Sequence, residues 1–547
     1  MRGPYVTAAA AAAATLMASS AVSAMPLGFD DLSDPTSYLS PRSSISERRD
    51  VSSSLKTCLS KTGAQIDYPG SNAYNSESFS ENSSIKPYQP AIIVTPANAQ
   101  QAASALKCAA NEGGKTKVVA KSGGHSYAGY SLGGQDGSLV ISLSKLETLT
   151  VDKSAKTARV GAGNRLGPMA QALGEAGFAL PHGTCPTVGT GGHSLGGGWG
   201  FSSRKWGWLL DHIVEMEVAT LDGKVKKVNA QSTGDDADLW WALRGAGASN
   251  FGVVTTFTYA LEDAPTNVIN HSRTYANNKD CAQALLAFQD LGAKTVANGG
   301  LPAEFGAELL LYGEGSGSDG ACTISGQYLS GPKHYQNASL ILDNAISKRG
   351  VKPSKTSAPA FSGSQDGDNS AWLQALKNLM GDLQQAPAAD PYYAKSLLDD
   401  GNVRFNPASA KAIIDKLQSY VGGEEGNSIS FDLNGPASKT NAPLSSASAF
   451  DTNRGSLFFN QFYSYGVPGP DNPKGQQSLY TKFDILVDTV KNAAPNANWR
   501  AYSNYVDFRL KDWGRAYYGS SLDRLKSIKA RLDPNSVFDY QQSLAHA

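Results

Sequence analysis

The rhythm of apolar and polar positions divides this chain into three stretches. From Asp50 to about Pro265, short apolar runs alternate with segments of helical period. Val51–Leu59 fits a short helix. Ala91-Ile92-Ile93-Val94 is extended. Pro96 and Asn98 then punctuate the start of a helix over Ala99–Asn111, and Gly113-Gly114 ends it before a strand at Val118-Val119-Ala120. Leu139–Leu143 and Ala158–Gly161 read as strands and Leu166–Glu175 as a helix. Ile213–Leu221 and Lys224–Val228 form a hairpin around Asp222-Gly223. Asp235–Leu243 is helical and Phe251–Leu261 is a strand. Residues 266–495 change character. Helices at Cys281–Leu291, Lys333–Lys348, Trp372–Leu383 and Ala408–Tyr420 alternate with strands at Glu304–Tyr312, Thr323–Leu329, Ser428–Leu433 and Leu457–Tyr463. That alternation predicts a second domain with a sheet backed by helices. From residue 496 the pattern tightens again, with a strand at Arg500–Val506 and a helix at Ser521–Arg531. The fold class is α+β.

The first 49 residues stand outside this pattern. An alanine-rich apolar run from Ala8 to Ala18 leads to Val22-Ser23-Ala24, a small-residue cleavage site that predicts a signal peptide over residues 1–24. Residues 25–49 read as a propeptide or disordered leader ending at the dibasic Arg48-Arg49. No later stretch reaches the roughly 18 apolar residues of a membrane span. Lysine plus arginine number 48 and aspartate plus glutamate 48, so no basic excess draws the chain to nucleic acid or an anionic surface. The expectation is a secreted monomer. Sequons at Asn82, Asn270 and Asn337 are candidate glycosylation sites. The five cysteines, Cys58, Cys108, Cys185, Cys281 and Cys322, form no compact metal site, and their odd number leaves one for another use.

Candidate chemistry concentrates in two glycine-rich segments. Pro181–Ser203 holds eight glycines, two histidines and Cys185, and has no Asp, Glu, Lys or Arg. Lys121-Ser122-Gly123-Gly124-His125-Ser126-Tyr127 follows a strand. A glycine-backed imidazole and a glycine-backed thiol can both approach a flat, bulky ligand, and both are nucleophiles. Gly161-Ala162-Gly163 with Gly167 mimics part of a dinucleotide fingerprint, but its spacing to a later acidic residue is poor.

The segments starting KSGGHSYAGYSLGG at Lys121 and PHGTCPTVGTGGHSLGGGWGFSS at Pro181, with the tail motifs NYVDFRL, WGRAYYG and LDPNSVFDYQQS, resemble the berberine-bridge-enzyme-like branch of the vanillyl-alcohol-oxidase flavoproteins. Within it the chain is most similar to fungal oligosaccharide oxidases. The resemblance implies a two-part FAD-binding domain of the vanillyl-alcohol-oxidase type, from residues 50–265 and 496–547. Residues 266–495 would then be a substrate-binding domain with an antiparallel sheet. It implies FAD attached twice, through His125 and Cys185. Lys121, Ser122, Gly123, Gly124, Ser126, Thr184, Val188, Gly189, Gly191, Gly192, His193, Gly198 and Tyr502 would surround the cofactor, the glycines letting backbone lie along it. Tyr505 would be the base and Asp432 its hydrogen-bonded assistant, with Tyr127, Ser430 and Gln461 against the substrate. Ser430 departs from the family's glutamine at that position. The resemblance pairs Cys58 with Cys108, leaving Cys281 for Cys322.

These residues imply a secreted FAD-dependent carbohydrate oxidase. It would oxidise the C1 hemiacetal of a reducing sugar to the lactone and reduce dioxygen to hydrogen peroxide. The alternatives are a same-family oxidase of a non-sugar alcohol or secondary metabolite, and a non-enzymatic carbohydrate-binding protein.

Overall fold

The computed structural model describes residues 51–313, 318–420, 426–443, 445–450 and 454–547. The expected signal peptide, leader and dibasic site lie outside the described residues. Three main sheets carry the fold. In the first, Ile92–Thr95 and Val118–Lys121 lie on either side of Leu139–Ser142, all parallel, and Gln65–Asp67 pairs antiparallel at one edge. The strand–helix–strand unit read from sequence is therefore a crossover, with helix Ala99–Ala110 leaving room for a third strand between its two ends. The second sheet is antiparallel, in the order Leu149–Asp152, Thr157–Gly161, Val253–Ala260, Ile213–Ala219, Val225–Asn229. Its hairpin turns at Gly223, whose φ of 82° is one that glycine adopts freely.

The third sheet has eight antiparallel strands drawn from residues 267–465. Toward one edge Glu308–Tyr312, Asn427–Leu433, Phe458–Tyr465 and Tyr392–Leu398 lie side by side, the last being the edge strand. Side chains alternate across a strand, so each one serves two faces. Leu309, Leu311, Ile429, Phe431, Leu433 and Phe462 pack into a core with helices Asn278–Gly292, Pro407–Gln418 and Pro473–Ala493. The opposite positions, Glu308, Ser430, Asp432, Gln461 and Tyr463, face the FAD-type module. Disulfides Cys58–Cys108 and Cys281–Cys322 staple a helix to a helix and a helix to a strand, and Cys185 is free.

The tail returns to the first sheet, where the Val118 amide donates to Val537 O at 2.8 Å. Helix Leu522–Leu532 carries the buried Lys529, which donates to Asn250 O and Phe538 O and pairs with Asp533 at 2.7 Å. The strand expected at Arg500–Val506 does not form. Only Arg500 bridges to a strand, at Leu398, and the Tyr505 amide then turns back to Tyr502 O at 3.0 Å. The turn lets Tyr502 and Tyr505, three residues apart, line the same cavity, which a strand would not allow. Two sequons also need correcting. Asn82 is 1% exposed and its amide donates to Tyr127 O at 2.8 Å, while Asn270 is 7% exposed and donates to Ala375 O and Asn378 Oδ1. Neither has room for a glycan in the folded chain. Asn337 is exposed on helix Pro332–Ser347. Among the described residues, no helix is long and apolar enough to cross a membrane, and no cluster of His, Cys, Asp or Glu could hold a metal ion.

Candidate active site

Loops of the first two sheets, the tail and the exposed face of the third sheet enclose one cavity of about 350 Å³. Its first wall is made of backbone. Strand Val118–Lys121 ends in Ser122–His125, with Gly124 at φ 78°. Gly123 and Gly189 touch so closely that a Cβ on either would fall on the other's backbone. Each therefore requires glycine on account of the other, and both also line the cavity. At Gly191 a Cβ would meet Ser122 Cβ at 3.0 Å, whereas Gly192 has nothing within 4 Å. The Ser122 hydroxyl donates to Ala162 O at 2.6 Å and accepts from the Gly191 amide at 3.2 Å. Arg165 ties the two segments together, its Nη1 donating to Gly123 O at 3.0 Å and to Thr187 O.

The tail clamps this wall from behind. The Gly198 amide donates to the Tyr502 hydroxyl at 2.8 Å, and Asn504 Nδ2 donates to that hydroxyl and to His193 O, each at 3.1 Å. His193 Nε2 accepts from the Gly183 amide at 3.1 Å, so it is a neutral, structural imidazole. Burial pushes its pKa down to about 3. Lys121 and Gly198, expected at the cofactor, do not line the cavity. Lys121 turns away to an ion pair with Glu77 at 3.7 Å. Ser194 sits in a Gly-x-Ser-x-Gly sequence, but its buried hydroxyl bonds Tyr259 at 2.6 Å rather than a base, so it is no nucleophile.

His125 and Cys185 reach the cavity from the two loops, together with Ser126, Thr184 and Val188. Burial first, then the Arg165 charge, pushes His125 down to about 3, and its Nε2 is buried without a hydrogen-bond partner. Its Nδ1 faces Glu81 Oε2 at 3.8 Å. Burial raises the Cys185 thiol, against hydrogen bonds from Thr187 that lower it. The thiol lies 3.3 Å from Thr187 Oγ1.

The opposite wall is made of side chains. Tyr505 stacks between Tyr127 and Phe459, with centroids 5.5 Å and 5.1 Å away. Gln461 Nε2 donates to the Tyr127 hydroxyl at 3.2 Å, and the Gln461 amide donates to Ser430 Oγ at 3.3 Å. Asp432 is not hydrogen-bonded to Tyr505 among the described contacts. It faces Glu308 across the strands, and burial with the Glu308 charge raises its pKa well above the usual carboxylate range. Burial, then Tyr127 and Asp432, likewise raises Tyr505 well above the usual phenol value. Sequence reasoning missed Glu81, Arg165, Glu308 and Tyr392. Only strand register places Glu308 opposite Asp432, and only the folded loops place Glu81 beside His125.

This geometry fits a bound flavin. The cavity holds a free thiol and an unpartnered imidazole nitrogen, its loops leave open space at Gly192, and no Lys or Arg lines it. Two family models match the same elements: the FAD binding domain over residues 90–229, and the berberine and berberine-like domain over 501–545. These define the class, an FAD-dependent oxidoreductase with the vanillyl-alcohol-oxidase fold. The chain is 32% identical over 531 residues to a xylooligosaccharide oxidase of Thermothelomyces thermophilus, covering 94% of this chain and 98% of the relative. It is 30% identical to an FAD-linked oxidoreductase of Metarhizium anisopliae, covering 90% and 91%. A solved Acremonium strictum glucooligosaccharide oxidase, described with a 6-S-cysteinyl, 8α-N1-histidyl FAD, matches at 27% identity with a TM-score of 0.77, covering 90% and 99%. The chain belongs to the berberine-bridge-enzyme-like family of FAD-linked oxidases.

Proposed function

We propose that this protein is a secreted carbohydrate oxidase that converts the C1 hemiacetal of a reducing mono- or oligosaccharide to the lactone and passes the electrons to dioxygen, giving hydrogen peroxide. The observation that carries this reading is convergence. Tyr505, Asp432, Ser430, Gln461 and Tyr127 line the same cavity as His125 and Cys185. The flavin, held through both His125 and Cys185, supplies hydride acceptance and oxygen reduction. Ser126, Thr184, Val188 and Tyr502 line the cavity that would hold it, and loop amides would supply donors for its phosphates. The remaining chemistry belongs to the chain. Tyr505 takes the C1 hydroxyl proton with help from Asp432, while Tyr127, Gln461 and Ser430 orient the sugar. Aromatic faces and amide rims match a sugar's apolar faces and polar edges. Residues 1–24 direct export, the chain works as a monomer, and Asn337 is the sequon open to glycosylation.

A second reading, oxidation of a non-sugar alcohol, draws on one observation. Tyr127, Tyr392, Tyr463 and Tyr505 crowd the substrate wall, and such a wall also suits an aromatic alcohol. Oxygen uptake with xylobiose, cellobiose, lactose, N,N′-diacetylchitobiose and benzylic alcohols separates the two. The sugars support turnover if the first reading holds, and Tyr505→Phe lowers kcat by about 10²–10⁴-fold. An unchanged rate in that variant removes Tyr505 as the base.

A further inference from the structure

We propose that Glu308, acting through Asp432, holds the proton that Tyr505 takes from the substrate, so that the two carboxyls form one relay in the cavity wall with Glu308 as its positioning residue. This rests on the alcohol-oxidising reading above. Glu308 and Asp432 are direct partners across antiparallel strands. Such pairs hold their Cβ atoms about 4.5–5.5 Å apart. Both are buried and both line the cavity beside Tyr505. No Lys or Arg among the lining residues neutralises them. Glu308 Oε1 accepts from the Ser325 hydroxyl at 3.3 Å, and Asp432 Oδ1 is buried with no hydrogen-bond partner. Two carboxylates face to face in a buried site do not both ionise, so the pair shares a proton. A neutral Tyr505 can accept the substrate proton only by giving up its own. The free Asp432 Oδ1 is the acceptor available, and a proton already on Asp432 shifts to Glu308.

The step balances. The substrate O–H bond breaks and its proton goes to Tyr505. The Tyr505 proton goes to the pair, the C–H bond breaks with its hydrogen and electron pair departing as hydride, which the bound cofactor would accept, and the carbonyl forms. The stored proton is released as dioxygen takes the electrons and becomes hydrogen peroxide. The groups facing the pair are Ser430 on the Asp432 strand, Ser325 on the neighbouring strand, and the phenols Tyr312, Tyr465 and Tyr505. Burial raises Glu308 to about 7, against hydrogen bonds from Asp432 and Ser325. Glu308 must be ionised to receive a proton, so turnover falls as pH drops through that value.

The test is the pH profile of oxygen uptake by flavin-loaded enzyme on the fastest of the four sugars. Wild type should lose kcat below about pH 7. Glu308→Gln should lower kcat about 10²-fold and abolish that acid limb, with KM changing less than about threefold, and Glu308→Asp should keep the limb. A raised KM with kcat and limb unchanged would reduce Glu308 to a sugar contact and overturn the relay. If Glu308→Gln does not fold, a proton inventory on wild type in mixed light and heavy water decides. A cubic dependence, meaning three protons in flight (substrate to Tyr505, Tyr505 to Asp432, Asp432 to Glu308), supports the relay, and a straight or quadratic one overturns it. If wild type oxidises a benzylic alcohol and none of the sugars, the sugar reading fails, and the same profile and inventory on that alcohol still decide the relay.

Discussion

The two walls of the cavity are built by opposite means. The His125–Cys185 wall is held by main chain: Gly123 against Gly189, Ser122 between Ala162 and Gly191, and Arg165 across both loops. The facing wall is held by sheet register, which sets Glu308 opposite Asp432 and Ser430 opposite Gln461. Backbone contact demands glycine at fixed places, so the first wall is rigid in sequence as well as in space. A strand face accepts any side chain of suitable size, so the second wall can vary while the sheet stays the same. On the proposed function, the first wall would hold the cofactor and the second would select the substrate.

The largest effect should come from breaking the backbone wall. Gly189→Ala drives a Cβ into the Gly123 backbone and should abolish soluble, flavin-loaded protein. Gly192→Ala meets no protein atom within 4 Å, so the fold should survive. If that open space is the cofactor's, flavin loading should fall while the thermal midpoint of flavin-free protein stays unchanged. Equal damage from both substitutions would show that protein packing, not cofactor space, sets these glycines. The smaller effect belongs to the facing wall. Ser430→Gln adds a longer amide beside Asp432 and Gln461 and should shift the ratio of kcat/KM between xylobiose and cellobiose by up to about tenfold, about 1.4 kcal/mol, with flavin content unchanged. A change in flavin loading there would contradict the division between the walls.

The same contrast explains what could be read from the sequence. The glycine loops were legible because their chemistry is local: eight glycines around one cysteine within Pro181–Ser203 leave few structural options. Many of the short strands and amphipathic helices were legible too, because they carry their periods openly. Strand Tyr392–Leu398 was hidden by Lys395 and Ser396, polar residues in a buried strand. Lys395 pairs with Asp484 and Asp507, each at 2.6 Å and both distant in sequence. Strand Asn267–Tyr275 was hidden in the same way by buried His271 and Arg273, the latter paired with Asp343 at 2.6 Å. The tail misled in the other direction: a strand is expected at Arg500–Val506, but the Tyr505 amide turns back to Tyr502 O. Glu81 and Glu308 have no local signature, because each acquires its role only when a loop or a neighbouring strand folds against it.

The most direct test of the central claim is the intact mass of acid-denatured protein, with peptide mapping, for wild type, His125→Ala, Cys185→Ala and the double variant. The account predicts one FAD per wild-type chain linking the His125 and Cys185 peptides, one FAD kept by each single variant through the residue that remains, and none on the double variant. Flavin that separates from wild type on denaturation, or that depends on only one of the two residues, would contradict it.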